Sequence, residues 1–367
     1  MRAARAATLA VRGAAAGSVL RNVARAARRV PPLAPSSTDH GPISIVVPAR
    51  DEAARIGPLL AALGGAPGVD EVVVVDDEST DDTAAIAVAG GARVVSGRPA
   101  PAGWAGKAWA LQQGLDASTG EWVVFLDADT RPSGDLPRAL VSRCVDDGLD
   151  LLSVAGRFEC PTVGLRWLHP ALLTTLVYRA APPGAVDQGR PDRRIGNGQC
   201  MAGRASTLRA AGAFASVAGH TVEDVAIVRA MATAGSLVGY LDGSALLSVR
   251  MYETAPEAWH GWGRSLALPG VDGRLRRVFG LLTVALAQGL PLLRVAARRA
   301  DALDAVLLAV RIGTLVGTAS VYERRGLAYW LSPLADPLAV AALVRSTVAR
   351  PRAWRGRTIN GAGPSRT

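Results

Sequence analysis

Short apolar segments in the N-terminal part of the chain alternate with alanine-rich stretches. The apolar segments cover 43–47, 71–75 and 122–126. Runs of about four to eight residues rich in valine and isoleucine are typical of buried strands. The alanine-rich stretches have helical spacing and cover 51–63, 81–90 and 107–118. This alternation predicts an α/β fold, a Rossmann-like and mostly parallel sheet with helices on both faces.

Acidic residues follow each of these predicted strands. The first strand leads into Pro48–Glu52, the second into Asp76–Asp77 and the third into Asp127–Asp129. The carboxyl ends of parallel strands lie at one edge of a sheet, and ligands of such sheets bind outside that edge. We therefore expect these acidic residues to form one site for a nucleotide, a metal ion and phosphates.

Asp127 and Asp129 are separated by one residue. In an extended chain, residues at this spacing point to the same side. Two carboxylates facing one point are suitable ligands for Mg²⁺ or Mn²⁺, with diphosphate oxygens and water completing the shell. The alternative interpretation is a strand that ends in an Asp-rich turn.

The chain contains a single lysine, Lys107, among 41 basic residues. Its ammonium group would act as a point charge for phosphate, and it lies near the start of a predicted helix, where anions bind favourably. We interpret Lys107 as a contact to a diphosphate. The alternative is an ordinary solvated lysine.

Glu223 and Asp224 begin a helix-like segment that extends to about residue 234. Thr221 with Asp224 has the spacing of a capping box, which gives this pair a purely structural interpretation. A helix start is also a rigid place for a general base, so the two interpretations are compatible.

Several of these motifs together resemble a known family. Pro48–Glu52, Val75–Asp81 and Leu126–Asp129 resemble the successive motifs of family 2 glycosyltransferases with the GT-A fold. Gly103–Lys107 is similar to the branch that includes hopanoid-associated and carotenoid (diaponeurosporenoate-type) glycosyltransferases. The likeness extends over residues 41–270 and is weaker in the hydrophobic tail.

The resemblance implies a role for each candidate residue. The residues implied to bind a nucleoside-diphosphate sugar are Pro48, Ala49, Asp51, Glu52, Asp76, Asp77, Lys107 and Asp127. Asp127 and Asp129 are implied to hold the cation. Asp224 is implied to be the general base, and Glu223 to orient it.

Trp259, Trp262 and Arg264 lie where this branch carries its acceptor-side motifs. An aromatic face stacks on a sugar or lipid, and an arginine binds phosphate. The order of residues departs from the Gln-x-x-Arg-Trp pattern of the family, and an aromatic belt at a membrane interface is the alternative interpretation.

The two ends of the chain have a different composition from the middle. Residues 1–40 are rich in alanine and arginine, which favours either a basic helix on anionic lipid or a disordered arm. Hydrophobic stretches cover 278–293, 302–321 and 327–344. Each contains polar residues, so either membrane helices or a helical bundle packed on the catalytic domain is compatible, and Arg311 is expected to pair with Asp336.

The sequence thus predicts a basic arm at 1–40, a GT-A catalytic domain at 41–272, and a membrane-associated helical region with a basic tail at 273–367. The net charge of +10, without a nucleic-acid-binding motif, favours an anionic membrane over nucleic acid. Cys144, Cys160 and Cys200 are widely separated, which fits a reducing compartment. We expect a location at the cell membrane with the catalytic domain facing the cytoplasm.

The expected function is metal-dependent, inverting transfer of a sugar from a nucleoside-diphosphate sugar to a hydroxyl or carboxylate of an isoprenoid-type membrane lipid. A sugar nucleotidyltransferase is the enzymatic alternative, since that class also combines a nucleotide site, a metal and a lysine. A non-catalytic membrane-bound protein that binds nucleotide sugars is the other alternative.

Overall fold

A computed structural model of the chain describes residues 2–348, 353–354 and 357–358. The chain divides into two compact units. An α/β unit contains Val30–Arg157 and Arg190–Arg250. A helical unit contains the residues up to Arg29, the segment Phe158–Gly189, and the chain from Met251 to the end of its last described helix at Val348.

The α/β unit is built on a seven-stranded sheet. In spatial order its strands are Arg93–Ser96, Val69–Asp76, Ile43–Ala49, Trp122–Leu126, Cys200–Arg204, Leu151–Ala155 and Val238–Asp242. Cys200–Arg204 runs antiparallel to both of its neighbours, while the remaining pairs are parallel. The predicted fold class, a mostly parallel α/β sheet, is confirmed.

Helices flank this sheet at the predicted positions. The helices of the α/β unit are Ala53–Leu63, Thr83–Ala89, Gly106–Ala117, Leu136–Asp146, Ala205–Ala210 and Glu223–Thr233. The first three begin and end within two residues of the predicted stretches. In Ala53–Leu63 the buried positions are Ile56, Leu59, Leu60 and Leu63, the spacing of one helix face. Short strands at Thr130–Pro132 and Leu247–Val249 pair antiparallel, and Arg157–Phe158 is a further short strand.

The helical unit contains the predicted C-terminal hydrophobic helices and more. Its helices are Arg2–Ala24, Val163–Val177, Ala255–Ser265, Arg274–Val284, Leu290–Ala296, Ala302–Thr318, Gly326–Trp330 and Asp336–Val348. A π-helical turn, Ala285–Gly289, joins two of them into one long helix. By length and composition, Arg274–Ala296 and Ala302–Val321 could each cross a membrane.

A buried polar network lies inside the helical unit. The expected contact between Arg311 and Asp336 is confirmed, with 2.9 Å from Nε to Oδ2. Gln288 donates to Asp336 Oδ1 at 2.8 Å, and Arg311 donates to Ser332 Oγ at 3.0 Å. Pairing of this kind is what makes a charge tolerable in an apolar interior.

The compact units differ from the domain boundaries predicted after residues 40 and 272. The N-terminal residues belong with the helical unit because Arg12 is buried there and bonds to Asp301 and Asp304. A buried guanidinium needs a carboxylate partner, and its partners lie near the other end of the sequence. The segment 158–189, predicted as part of the catalytic domain, also belongs to the helical unit.

Candidate active site

The strand Trp122–Leu126 is followed by a turn. The carbonyl of Asp127 accepts hydrogen bonds from Thr130 N at 3.1 Å and Thr130 Oγ1 at 2.7 Å. The expectation that Asp127 and Asp129 lie on one side of an extended strand is therefore wrong. The two residues remain neighbours across this turn, and burial together with the charge of Asp127 raises the pKa of Asp129.

Lys107 is the centre of an ionic cluster at this edge. It lies in the first turn of the helix Gly106–Ala117, and its Nζ is 2.9 Å from Asp127 Oδ1 and 3.0 Å from Glu223 Oε1. Burial alone would lower the pKa of Lys107, but the charges of Asp127, Glu223 and Asp224 raise it well above its ordinary value. Its side chain is 18% exposed, which contradicts the alternative of a solvated lysine.

Replacement of Lys107 by methionine should destabilise the protein by about 3 kcal/mol, because removing one partner of a buried ion pair leaves the other charge uncompensated. Chemical denaturation measures this effect. Lys107→Arg is the matched control, since it keeps the charge in a broader, planar group. Equal losses of stability for the two variants would contradict a role for the charge itself.

Asp224 is held by two backbone groups at the start of the helix Glu223–Thr233. Its Oδ2 accepts from Gly198 N at 3.0 Å and its Oδ1 from Val225 N at 2.8 Å. Burial raises the pKa of Asp224, against the opposing effects of Lys107 and these two N–H groups. Each carboxylate oxygen keeps a lone pair for a further donor.

The predicted capping box at Thr221 is wrong. The residue preceding this helix is Val222, and no side chain of the described residues caps it. The Asp224 carboxylate bonds instead to Gly198, in the loop between the 3-10 turn Pro191–Arg193 and the strand Cys200–Arg204, so that the carboxylate is positioned by a tertiary contact. Glu223 is buried, and burial raises its pKa, against the opposing charge of Lys107.

The loop before the strand Cys200–Arg204 carries residues that the sequence did not single out as site residues. A Cβ atom at Gly198 would lie 2.9 Å from Asp224 Cβ, closer than real contacts allow. The carbonyl of Gln199 accepts from Asp127 N at 3.1 Å. The signal was present in the glycines flanking Asn197, but their partners could not be identified without the fold.

Gly198→Ala should therefore displace Asp224 and lower turnover by about tenfold or more, as small misplacements of catalytic groups do. Gly134→Ala is the matched control, because no atom lies within 4 Å of a Cβ at that position. Steady-state kinetics of both variants provide the measurement. Turnover by Gly198→Ala equal to that of the control would show that the carboxylate has room to adjust.

One carboxylate oxygen of Asp129 is open to a further ligand. Its Oδ1 is buried and accepts no hydrogen bond from any residue that the structure describes. Burial, Asp127 and Glu52 raise the pKa of Asp129 to about 7, against the charges of Lys107 and Arg55. A divalent cation would compensate this crowding of negative charge, so the carboxylate pair fits the implied Mg²⁺ or Mn²⁺.

The protein alone does not complete such a site. Within the described ranges, no group of three or more His, Cys, Asp and Glu side chains is arranged to hold a metal ion. A cation at Asp127 and Asp129 would therefore take its remaining ligands from the substrate and water, as Mg²⁺ commonly does.

The acidic residues after the first two strands mostly hold loops. Asp51 has a left-handed backbone (φ 52°), and its Oδ1 accepts from Thr80 N at 2.8 Å. Asp77 is fully buried, with its Oδ2 3.7 Å from Arg50 NH1. Asp76 Oδ1 is different, because within residues 2–348 nothing donates a hydrogen bond to it.

The remaining predicted donor residues support the same edge. Pro48 and Ala49 are buried in the first strand, where their register partners are Val75 and Asp76. Glu52 is nearly buried and its N–H donates to Thr83 Oγ1 at 2.8 Å. Pro48 and Ala49 are thus part of the framework beside Asp76, and the Glu52 backbone holds the following loop against Thr83.

The predicted acceptor residues lie on the helix Ala255–Ser265 of the helical unit. Trp262 is 7% exposed and packs in the core of that unit. Trp259 donates its indole N–H to the carbonyl of Leu338 at 3.1 Å, and the Arg345 guanidinium stacks over its ring. Arg264 is exposed. The two tryptophans thus have packing roles inside the helical unit.

The architecture defines the class of protein first. A mannosyltransferase from Pyrobaculum calidifontis, solved in complex with GDP-Man and Mn²⁺, has the same fold, with a TM-score of 0.55 and 19% identity over 92% of this chain and 97% of that one. The chain has the GT-A fold, as expected. Residues 44–208 match the family model for glycosyl transferase family 2.

Curated relatives agree with this assignment. An uncharacterized glycosyltransferase of Mycobacterium tuberculosis is 37% identical over 136 residues, which are 37% of this chain and 56% of that protein. The 4,4'-diaponeurosporenoate glycosyltransferase of Staphylococcus aureus is 25% identical over 262 residues, 67% of this chain and 66% of that protein. The chain thus spans about half to two thirds of the lengths of these relatives, and the predicted family resemblance is confirmed.

Proposed function

We propose that this protein is a metal-dependent, inverting glycosyltransferase. It transfers a sugar from a nucleoside-diphosphate sugar to a hydroxyl or carboxylate of an isoprenoid-type membrane lipid. The observation that carries the proposal is the cluster in which Lys107 bridges Asp127 and Glu223 beside Asp224, at the carboxyl edge of a family 2 domain.

Asp224 is the general base of the proposed reaction. For a hydroxyl acceptor, the O–H gives its proton to the Asp224 carboxylate while its oxygen forms a bond to the anomeric carbon. The bond from that carbon to the diphosphate breaks, and its electron pair leaves with the diphosphate. A raised pKa improves a carboxylate as a base, and burial supplies that shift here.

Lys107 supplies positive charge to the site, and Glu223 holds Lys107 in position. Lys107 lies at a helix start, where it faces carboxylates and is placed for a diphosphate. Glu223 bonds to the same ammonium, so it fixes the lysine next to Asp224. Glu223 is thus a positioning residue in this scheme.

Asp127 and Asp129 are the residues that would hold Mg²⁺ or Mn²⁺. When bound, the cation supplies positive charge that stabilises the leaving diphosphate. The unpartnered Oδ1 of Asp129 supports this assignment. The open Oδ1 of Asp76 supports a contact with the nucleoside, in a loop region that Asp51 and Asp77 hold in shape.

A lipid acceptor and a membrane location are supported by different observations. One relative is named a 4,4'-diaponeurosporenoate glycosyltransferase. Two described helices are long and apolar enough to cross a membrane, and the net charge is +10. We place the protein at the cell membrane with its catalytic unit facing the cytoplasm.

A panel of labelled nucleotide sugars tests the function. Purified protein in vesicles that contain extracted isoprenoid lipids should transfer label to the lipid fraction with Mn²⁺ and not with EDTA. Consumption of a sugar 1-phosphate with release of diphosphate would instead identify a nucleotidyltransferase. Metal-dependent nucleotide binding without transfer to any lipid would identify a non-catalytic sensor.

A further inference from the structure

The helix Ala302–Thr318 buries polar residues and exposes apolar ones, which is the reverse of a surface helix in a water-soluble protein. Its inward face carries Asp304, Arg311 and Thr314. Its exposed positions are all small or apolar, namely Ala302, Ala305, Val306, Ala309, Ile312, Gly313, Val316 and Gly317. A surface helix in water shows the opposite arrangement, with charged residues outside. Polar residues that face the bundle interior are typical of helices in lipid.

The preceding long helix has the same arrangement, with polar residues buried and apolar residues exposed. Between Arg274 and Ala296, the polar residues Thr283 and Gln288 are buried. The exposed large hydrophobic side chains are Leu275, Val278, Phe279, Leu282, Leu293 and Val295, and Arg274 is exposed at the start of the helix. The last described helix, Asp336–Val348, likewise buries its Asp336 and Ser346 and exposes Leu338 and Val344, with Arg345 exposed near its end.

The N-terminal helix Arg2–Ala24 follows the same rule despite its basic sequence. Between residues 6 and 20 Arg12 is the only charged residue. Arg12 is 3% exposed and points inward, with its NH2 2.5 Å from Asp304 Oδ1 and its NH1 2.6 Å from Asp301 Oδ2. The exposed positions around it include Leu9, Val11 and Leu20. The outward face is therefore uncharged over about 22 Å, most of the hydrocarbon thickness of a bilayer.

We propose that the N-terminal helix and the two long helices form one lipid-facing surface, with the acyl chains of an anionic bilayer as its occupant. The inference rests on the membrane location in the proposed function, and it adds a third helix that the apolar length of the sequence does not identify. The buried pair of Arg12 with Asp304 joins this third helix to the helix Ala302–Thr318. The N-terminal segment is thus an integral part of the anchor.

Charge at the ends of the helices specifies the kind of bilayer. The flanking arginines are Arg274, Arg276, Arg277, Arg298, Arg299, Arg324 and Arg325. Each basic side chain near an anionic surface contributes about 1 kcal/mol of attraction. Apolar helix faces bounded by arginines fit acyl chains bounded by anionic headgroups better than they fit a second protein surface.

Fluorescence quenching tests the inference residue by residue. Leu9→Cys on the N-terminal helix and Val316→Cys on the helix Ala302–Thr318 are labelled with bimane in the full-length protein. Val88→Cys and Leu237→Cys in the α/β unit are matched controls, since these apolar residues are 62% and 58% exposed. The native cysteines are buried and will label little. The labelled proteins are placed in phosphatidylglycerol vesicles with brominated acyl chains.

Bromine should quench the label at positions 9 and 316 several-fold more strongly than at positions 88 and 237. Quenching at 316 but not at 9 would overturn the assignment of the N-terminal helix. Absence of quenching at both positions would show that water, and not lipid, covers the surface. Shielding of the two labels that depends on protein concentration and not on lipid would show that a second copy of the chain covers it. Sugar transfer is assayed in parallel, so strong quenching without transfer would refute the proposed function and leave this inference intact.

Discussion

Asp224→Asn is expected to lower kcat for sugar transfer by about a thousandfold, because the amide cannot take the proton of the acceptor. The KM for the nucleotide sugar should change little, since Asp224 is proposed to act on the acceptor. Stability should fall only slightly, because the side chain keeps its shape and one of its two backbone hydrogen bonds. Initial rates at saturating donor, together with thermal unfolding, provide the measurement.

Asp150→Asn is a matched control for this variant. Asp150 also accepts a backbone hydrogen bond, from Leu237 N at 2.9 Å. It directly precedes the strand Leu151–Ala155, at the opposite end of the strands from the candidate site. Its amide variant should turn over like wild type. Wild-type turnover by Asp224→Asn, or a larger loss in Glu223→Gln, would move the base away from Asp224.

Asp129→Asn should abolish transfer and at the same time stabilise the metal-free protein. Burial, Asp127 and Glu52 raise the pKa of Asp129 to about 7, so the ionised form is unfavourable in the folded state. For an acid with a raised pKa, this destabilisation grows as the pH rises from about 4 to 7 and is constant above. At pH 8 in EDTA the asparagine variant should be more stable by about 2–4 kcal/mol.

Unfolding with and without Mn²⁺ and a nucleoside diphosphate completes the test of Asp129. Wild type should gain stability from the metal and nucleotide, because both bind the folded state, whereas Asp129→Asn should gain little. Asp127→Asn is a useful comparison, since it removes a partner of Lys107 and should destabilise the metal-free protein. A metal-free Asp129→Asn protein less stable than wild type would contradict the proposed crowding of charge.

Much of the active site was predictable because it depends on local order along the chain. Valine-rich runs that end in carboxylates, followed by alanine-rich helices, indicated both the sheet and the edge that carries the site. The lysine was conspicuous by its uniqueness. What could not be predicted is that Lys107 bridges Asp127 and Glu223, because Glu223 is far from both in the sequence.

The capping interpretation of Thr221 shows how local reasoning fails. The spacing of Thr221 and Asp224 fits a capping box, but the carboxylate bonds to Gly198 N, 26 residues earlier in the chain. A buried carboxylate takes the best donors available in three dimensions. A donor that is near in the sequence is not preferred over one that is near in space.

By itself, the sequence determined the α/β alternation, the resemblance to family 2 glycosyltransferases and the acidic edge, because strand and helix periodicity and motif order are properties of neighbouring residues. Only the tertiary structure decided that a turn carries Asp127 and Asp129, that Gly198 positions Asp224, and that Arg12 points inward. Each of these outcomes depends on a buried charge or a close packing contact between distant segments. Charge and close packing act through space, so the direction in which Arg12 points is fixed by Asp304, 292 residues away.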